Sequence, residues 1–209
     1  AGADPGGLLA RRPGQPPMND PIALLVLVGL PALLLVGWPI WAYNRFISQR
    51  AAIQTAWAGV DVQLQRRHDL IPNLVETVKG YAEHEREVLE RVTAARSAAV
   101  DADRADDVGP AGQAVAEGRL DSQIRQLLAV AEGYPELQAA PLFRDLHAQL
   151  VETEDRIAAS RRLYNLNVRD YNERVQQVPS RIIASMFDFE LSEYFDAAPG
   201  ADEVPSVDV

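Results

Sequence analysis

"RRHDLIPNLVETVKGY", residues 66–81, decides how this chain folds, because helical spacing on both flanks meets a proline near the middle. Leu64, Ile71, Leu74 and Val78 share one face of an α-helix. In a helix interior a proline loses a hydrogen bond and clashes with the preceding turn, at about 3 kcal/mol, whereas in a first turn it is tolerated. Asp69 is placed to cap a restarted helix, with Glu76 near the positive end. The spacing therefore predicts a bend or restart at Pro72. An unbroken helix from Asn44 to Val100 would run on the order of 85 Å, so the stretch leaves a fold-back and a rod both open. Arg67 falls near the seam position between Leu64 and Ile71, where a cation requires a carboxylate or a helix-end carbonyl. Together Arg67, His68, Asp69 and Asn73 offer a polar site, but helical spacing does not converge them, and a capped kink with solvated charges is the simpler reading.

Working outward, Ile53, Trp57, Val60 and Leu64 precede the stretch, and Val88, Val92, Ala95 and Ala99 follow it, in steps of three and four. "DADRADDVGPAG", residues 101–112, reads as a solvated loop, and helix resumes from near Gln113 to about Glu132. "GYPELQAAP" is a second turn, after which Leu142, Leu146, Leu150, Ile157, Tyr164, Val168, Tyr171, Val175 and Val178 continue one stripe as far as Pro179. "RIIASMFDFELSEYF" is a shorter apolar segment. Amphipathic stripes of this length must bury one another, and short connections make sequential helices antiparallel. Towards the N-terminus, "IALLVLVGLPALLLVGWPIWAY", residues 22–43, has no charged residue over the length needed to cross a bilayer. Trp38, Trp41 and Tyr43 form an aromatic belt at its end and leave no small-residue site for signal cleavage.

The expected fold is all-α: an N-terminal transmembrane helix followed by an antiparallel bundle of three to four long helices. Residues 1–20 read as a disordered leader, 21–43 as the span in contact with lipid, 44–195 as the bundle and 196–209 as an acidic disordered tail. Arg11 and Arg12 before the span balance Arg45 and Arg50 after it, so charge alone sets no orientation. A start at Met18 would leave the N-terminal flank without Lys or Arg and place the bundle in the cytoplasm.

Composition narrows the function. A net charge of -10 argues against nucleic acid as a partner, and the absence of cysteine removes thiolate nucleophiles and Cys-ligated metals. "EHEREV", residues 83–88, starts like a zinc-protease helix, but Val88 stands where the second histidine belongs. The residues three before His68, His84 and His147 are Gln65, Tyr81 and Arg144, so the Glu-x-x-His pattern of di-iron bundles fails as well. No phosphate-binding glycine loop, nucleophile elbow or dinucleotide fingerprint occurs. The chain therefore offers no candidate catalytic residues, cofactor or metal.

"LYNLNVRDYNERV", residues 163–175, repeats Tyr-Asn at Tyr164-Asn165 and Tyr171-Asn172, which puts both tyrosines on one helix face with the asparagines beside them. With the apolar anchor, "YPEL" at 134–137 and "ETEDRIAASRRLYN" before the repeat, the chain resembles the LemA family of bacterial membrane proteins from Tyr43 to about Phe195. That resemblance implies a single-pass inner-membrane protein bearing an antiparallel helical bundle, with no established enzymatic activity, often encoded near membrane peptidases or envelope proteins. It places the family's motif residues on Leu70, Ile71, Pro72, Asn73 and Leu74, and on Tyr164, Asn165, Tyr171 and Asn172. These imply a bundle or assembly surface. Val178-Pro179 replaces the usual Phe-Pro pair. The expected function is a membrane-anchored, non-enzymatic scaffold that binds copies of itself or an envelope partner through the Pro72 bend and the tyrosine face. The rivals are an accessory regulator of a membrane peptidase and, more remotely, a hydrolase hidden in the bundle.

Overall fold

The structure, a computed structural model, describes residues 21–196 apart from 83 and 106, and omits the side chains of 21–26, 28 and 30–32. The leader over 1–20 and almost all of the acidic tail lie outside the described residues. Among the described residues six helices follow in order: α1 Pro21–Lys79, α2 Arg86–Arg104, α3 Pro110–Ala131, α4 Pro135–Ala139, α5 Pro141–Gln176 and α6 Ser180–Met186. The chain divides into two compact units, Ala1–Arg45 and Phe46–Val209.

In the first unit the described residues belong to the beginning of α1. Leu33, Leu34, Leu35, Val36, Ile40 and Trp41 are all more than half exposed. Among the described residues no helix is long and apolar enough to cross a membrane. The expected transmembrane helix over 21–43 is thus not seen as such. Much of the apolar run falls on side chains outside the description, and the helix does not end at residue 43 but continues to Lys79.

In the second unit α1 and α5 run antiparallel, because their contacts step in opposite directions: Arg50 with Tyr171, Trp57 with Tyr164, Arg67 with Glu154. At 36 residues α5 is about 54 Å long. Neither α2 nor α3 is long enough to cover it, so the two layers around the α1–α5 pair differ along its length. Towards the C-terminal end of α1, Ile71, Leu74 and Val78 meet Val92 and Ala99 of α2, Leu120 and Leu127 of α3, and Leu146 and Leu150 of α5 in one core cluster. Towards Phe46, cover comes from α6 and the extended segment 187–196, through Ile183, Phe189 and Phe195.

Prolines open α3, α4 and α5. Pro110, Pro135 and Pro141 occupy first-turn positions, where the missing amide costs nothing. The loop expected over 101–112 is shorter, because α2 continues to Arg104 and α3 starts at Pro110. "GYPELQAAP" holds the single turn α4, with Leu137 fully buried beneath it. The Val178-Pro179 peptide is cis, and it separates α5 from α6. After α6 the chain turns at Asp188, whose φ of 52° is a left-handed conformation that Asp tolerates better than most residues.

Pro72 is not where the chain reverses. It lies inside α1, exposed, and the reversal occurs over residues 80–85, where Ala82 donates to Val78 O at 2.9 Å. Nor does Asp69 cap a new helix: it is exposed and accepts from Gln65 Nε2 at 2.9 Å. Without an amide hydrogen, Pro72 releases the carbonyl of His68 from the helical ladder. Arg96 of α2 donates through Nε to that carbonyl at 2.7 Å. The proline thus converts a helical hydrogen bond into a tie between α1 and α2. Pro72→Ala is expected to stabilise the fold by about 1–2 kcal/mol, since it removes the interior-proline cost. It should also reduce the cost of Arg96→Met by at least about 0.5 kcal/mol in a double-mutant cycle followed by chemical denaturation.

Candidate functional site

Two polar constellations stand out in the bundle, and both are built on residues singled out in the sequence. The first gathers around Arg67 and His68, which are 3% and 1% exposed. Arg67 donates through Nη1 to Glu154 Oε2 on α5 at 2.9 Å and through Nη2 to Glu117 Oε2 on α3. The other oxygen of Glu117 is 2.9 Å from His68 Nε2 and accepts from Gln113 Nε2 at 2.9 Å. A carboxylate only accepts, so His68 presents Nε2–H to it. Gln113 also donates to Ala99 O of α2 at 3.3 Å. One buried carboxylate thereby links α1 and α3, and the side chains around it reach α2 and α5.

Burial pushes the Glu117 carboxyl up, but the hydrogen bond from His68 and the charge of Arg67 outweigh it, so it sits below its ordinary value of 4.5. A carboxyl whose pKa is lowered by folding contributes stability above its unfolded pKa and loses it as pH falls through the folded one. Its share of stability should therefore be complete above about pH 5 and decline below it. Comparing denaturation midpoints of the wild type and Glu117→Gln from pH 7 to 3 should show a shallower acid decline in the variant.

The second constellation explains the Tyr-Asn repeat. Asn172 donates through Nδ2 to Ser192 O at 2.9 Å and accepts from Ser192 N at 2.8 Å. Asn165 does the same to Phe195, at 3.2 and 2.9 Å. Each carboxamide pairs with the extended segment as a neighbouring β-strand would, satisfying both main-chain groups of one residue. Two helical turns separate the asparagines and three residues separate their targets, so the segment crosses the helix obliquely. Tyr164 donates to Glu193 O at 2.9 Å, and burial followed by the charge of Glu193 pushes its hydroxyl up to about 12. The ring of Tyr171 meets Phe46 edge-on at 6.0 Å, and its hydroxyl accepts from Arg50 Nε at 3.1 Å. Phe46 stacks on Phe189 at 4.6 Å, with the Arg50 guanidinium 4.5 Å over the same ring. Trp57 packs against both Tyr164 and Phe195.

Of the residues read from the sequence, Arg67 belongs to the first constellation, and Tyr164, Asn165, Tyr171 and Asn172 form the second. Leu70, Ile71 and Leu74 are core. Asp69, Pro72 and Asn73 are exposed, so Asp69 and Asn73 do not converge with Arg67 and His68. The tyrosine face is not open to another molecule: Tyr164 is 3% and Tyr171 0% exposed beneath the chain's own segment. Trp41 and Tyr43 are exposed and Trp38 is half-buried. Sequence reading missed Glu117, Gln113 and Glu154. Glu117 and Gln113 are one helical turn apart, the only hint that both face inward.

The profile of the LemA family matches residues 56–209, well over half of the chain. The chain belongs to the LemA family. The match includes both halves of the Tyr-Asn clamp and the segment it holds. Among similar proteins, Magnetosome protein MamQ 2 of Paramagnetospirillum magneticum is 28% identical over 213 residues, covering 92% of this chain and 77% of that protein. Magnetosome protein MamQ of Magnetospirillum gryphiswaldense is 26% identical over the same shares. Protein LemA of Metamycoplasma hominis is 26% identical over 168 residues, 79% of this chain and 72% of that protein. Within this LemA-family chain, the "YPEL" stretch supplies buried Leu137 and Tyr134, whose hydroxyl lies 3.4 Å from Glu85 Oε1. "ETEDRIAASRRLYN" supplies Glu154 to Arg67 and Glu152 to Arg156, and ends in the first Tyr-Asn pair.

Proposed function

We propose that this LemA-family protein is a membrane-anchored, non-enzymatic helical scaffold that assembles with itself or with an envelope partner. The observation that carries the membrane reading is the run Leu33, Leu34, Leu35, Val36, Ile40 and Trp41, each more than half exposed on one stretch of helix. Apolar surface of that density is stable only when something other than water covers it, and the sequence extends the run back to Ile22. The non-enzymatic reading is supported by the use of the bundle's reactive side chains within it: Arg67, His68 and Glu117 engage one another, and the tyrosines hold the C-terminal segment. Val178, Ile182 and Met186, at 78%, 56% and 66% exposure, mark where contact with another molecule is expected instead of the tyrosine face.

The described residues contain no cysteine, and none occurs elsewhere in the sequence, so Ile182→Cys introduces a single crosslinking site. The full chain should float with membranes and resist alkaline carbonate, and Ile182→Cys should give a discrete crosslinked species in them. A detergent-extracted monomer by light scattering, with no crosslinked species, would remove the scaffold reading. Release by carbonate would remove the anchor.

A further inference from the structure

Val178, Ile182 and Met186 recur every four residues along α6 and its approach, and Leu191 follows them on the extended segment. All four are more than half exposed, whereas Ile183 and Ala184 of α6 are buried against the bundle. Single exposed apolar side chains are ordinary, but a group of large ones in one place marks a contact surface. At the opposite end of the second unit, among the described residues of 79–90 and 131–147, Leu142 is the one large apolar side chain exposed to that degree. The patch lies at the end from which the chain leads back to its apolar run. Phe46, the first residue of this unit, stacks at 4.6 Å on Phe189, which stands between Met186 and Leu191 in the sequence. The run of residues 22–43 ends three residues before Phe46, and a three-residue link spans at most about 11 Å however it bends.

We infer that this patch beds into the surface of the bilayer that holds the anchor, as a second membrane contact separate from the apolar run. The inference rests on the membrane reading of residues 22–43 proposed above. Apolar side chains at such a surface sink about 5–10 Å into the headgroup and acyl boundary, a depth that the short link brings within reach. The link also keeps lipid beside the patch at all times, which gives the bilayer a high effective concentration that a separate protein lacks. Arg181 stands against Asp188 and Glu190, all three exposed, so the patch has no positive excess to draw it to anionic headgroups and apolar burial carries the contact. Copies seated in this way hold Ile182 at one depth, where the crosslink expected above joins them side by side.

The test uses the full chain at one copy per phosphatidylcholine nanodisc, so that lipid and not a second copy can cover the patch. A nitrobenzoxadiazole label at Ile182→Cys or Leu191→Cys should be quenched by doxyl-labelled lipid at least about threefold more strongly than the same label at exposed Leu142→Cys. Leu35→Cys, in the apolar run, reports the anchor independently. Quenching at Leu35→Cys with none above the Leu142→Cys level at the patch would overturn the inference and leave the anchor standing. No quenching at Leu35→Cys would remove the anchor and the inference with it. Ile182→Glu/Met186→Glu changes two exposed positions that the fold tolerates, and it should return the Leu191→Cys label to the Leu142→Cys level while Leu35→Cys stays quenched. Undiminished quenching in that variant would overturn the patch as the contact. Replacing about a third of the lipid with phosphatidylglycerol should change quenching at the patch by less than about twofold. A rise of about threefold or more would overturn apolar burial as its basis.

Discussion

Glu117→Ala is expected to lower the unfolding free energy by roughly 3–5 kcal/mol, the cost of leaving a buried charge without its partner. Arg67 would keep only Glu154, whose side chain is half exposed and screened by water. His68 and Gln113 would lose the acceptor that both now share. The size of the effect reports the orphaned charge and not the worth of the ion pair, since desolvating both ions offsets most of their attraction. Two controls separate these. Glu154→Ala should cost no more than about 1 kcal/mol, because its pair reaches solvent. The double variant Arg67→Met/Glu117→Leu should be less destabilised than Glu117→Ala alone, although His68 still lacks a partner. Denaturant unfolding of the three variants measures all of this. A double variant as unstable as the single one would mean that the buried network stabilises the fold in its own right.

Asn165→Ala/Asn172→Ala should release segment 187–196 from the bundle. Each substitution removes two hydrogen bonds whose main-chain partners turn to water; at a net of about 0.5–1.5 kcal/mol per bond, the four lost bonds cost roughly 2–6 kcal/mol. Because α2, α3 and the core around Leu74 do not depend on the segment, the loss should be local. Hydrogen exchange at the Ser192 and Phe195 amides should accelerate by at least about 30-fold, the kinetic equivalent of 2 kcal/mol, while amides of α3 stay protected. Uniform acceleration across α1, α3 and α5 would show that the segment is part of one cooperative unit.

Both results bear on how far the sequence alone could be read. The stripes through Leu64, Ile71, Leu74 and Val78 and through Leu146, Leu150 and Ile157 specify long amphipathic helices, because period 3.6 is written in local spacing. The match of "YPEL" and the Tyr-Asn repeat to the LemA family is also local, and the family profile agrees with it over residues 56–209. The requirement that Arg67 find an oxygen partner follows from its place on an apolar face. Its partners, Glu117 and Glu154, are 50 and 87 residues away in the chain, beyond the reach of any spacing argument.

Pro72 shows the same division more sharply. Local propensity makes an interior proline a bend or a restart, and the restart does not occur, because packing on both sides holds α1 together and Arg96 takes up the freed carbonyl. The reversal passes instead to residues 80–85. The tyrosines were legible as one face, yet whether that face met another molecule or the chain itself depended on where 187–196 lies. What the sequence determined is therefore what neighbours along the helix determine: helical class, seam, family and the need of Arg67 for an oxygen partner. What the tertiary structure decided is which carboxylates answer that need, where the chain turns, and that the Tyr-Asn face closes on its own C-terminal segment. Those outcomes come from contacts between residues distant in sequence, whose free energy is realised only when the helices have packed.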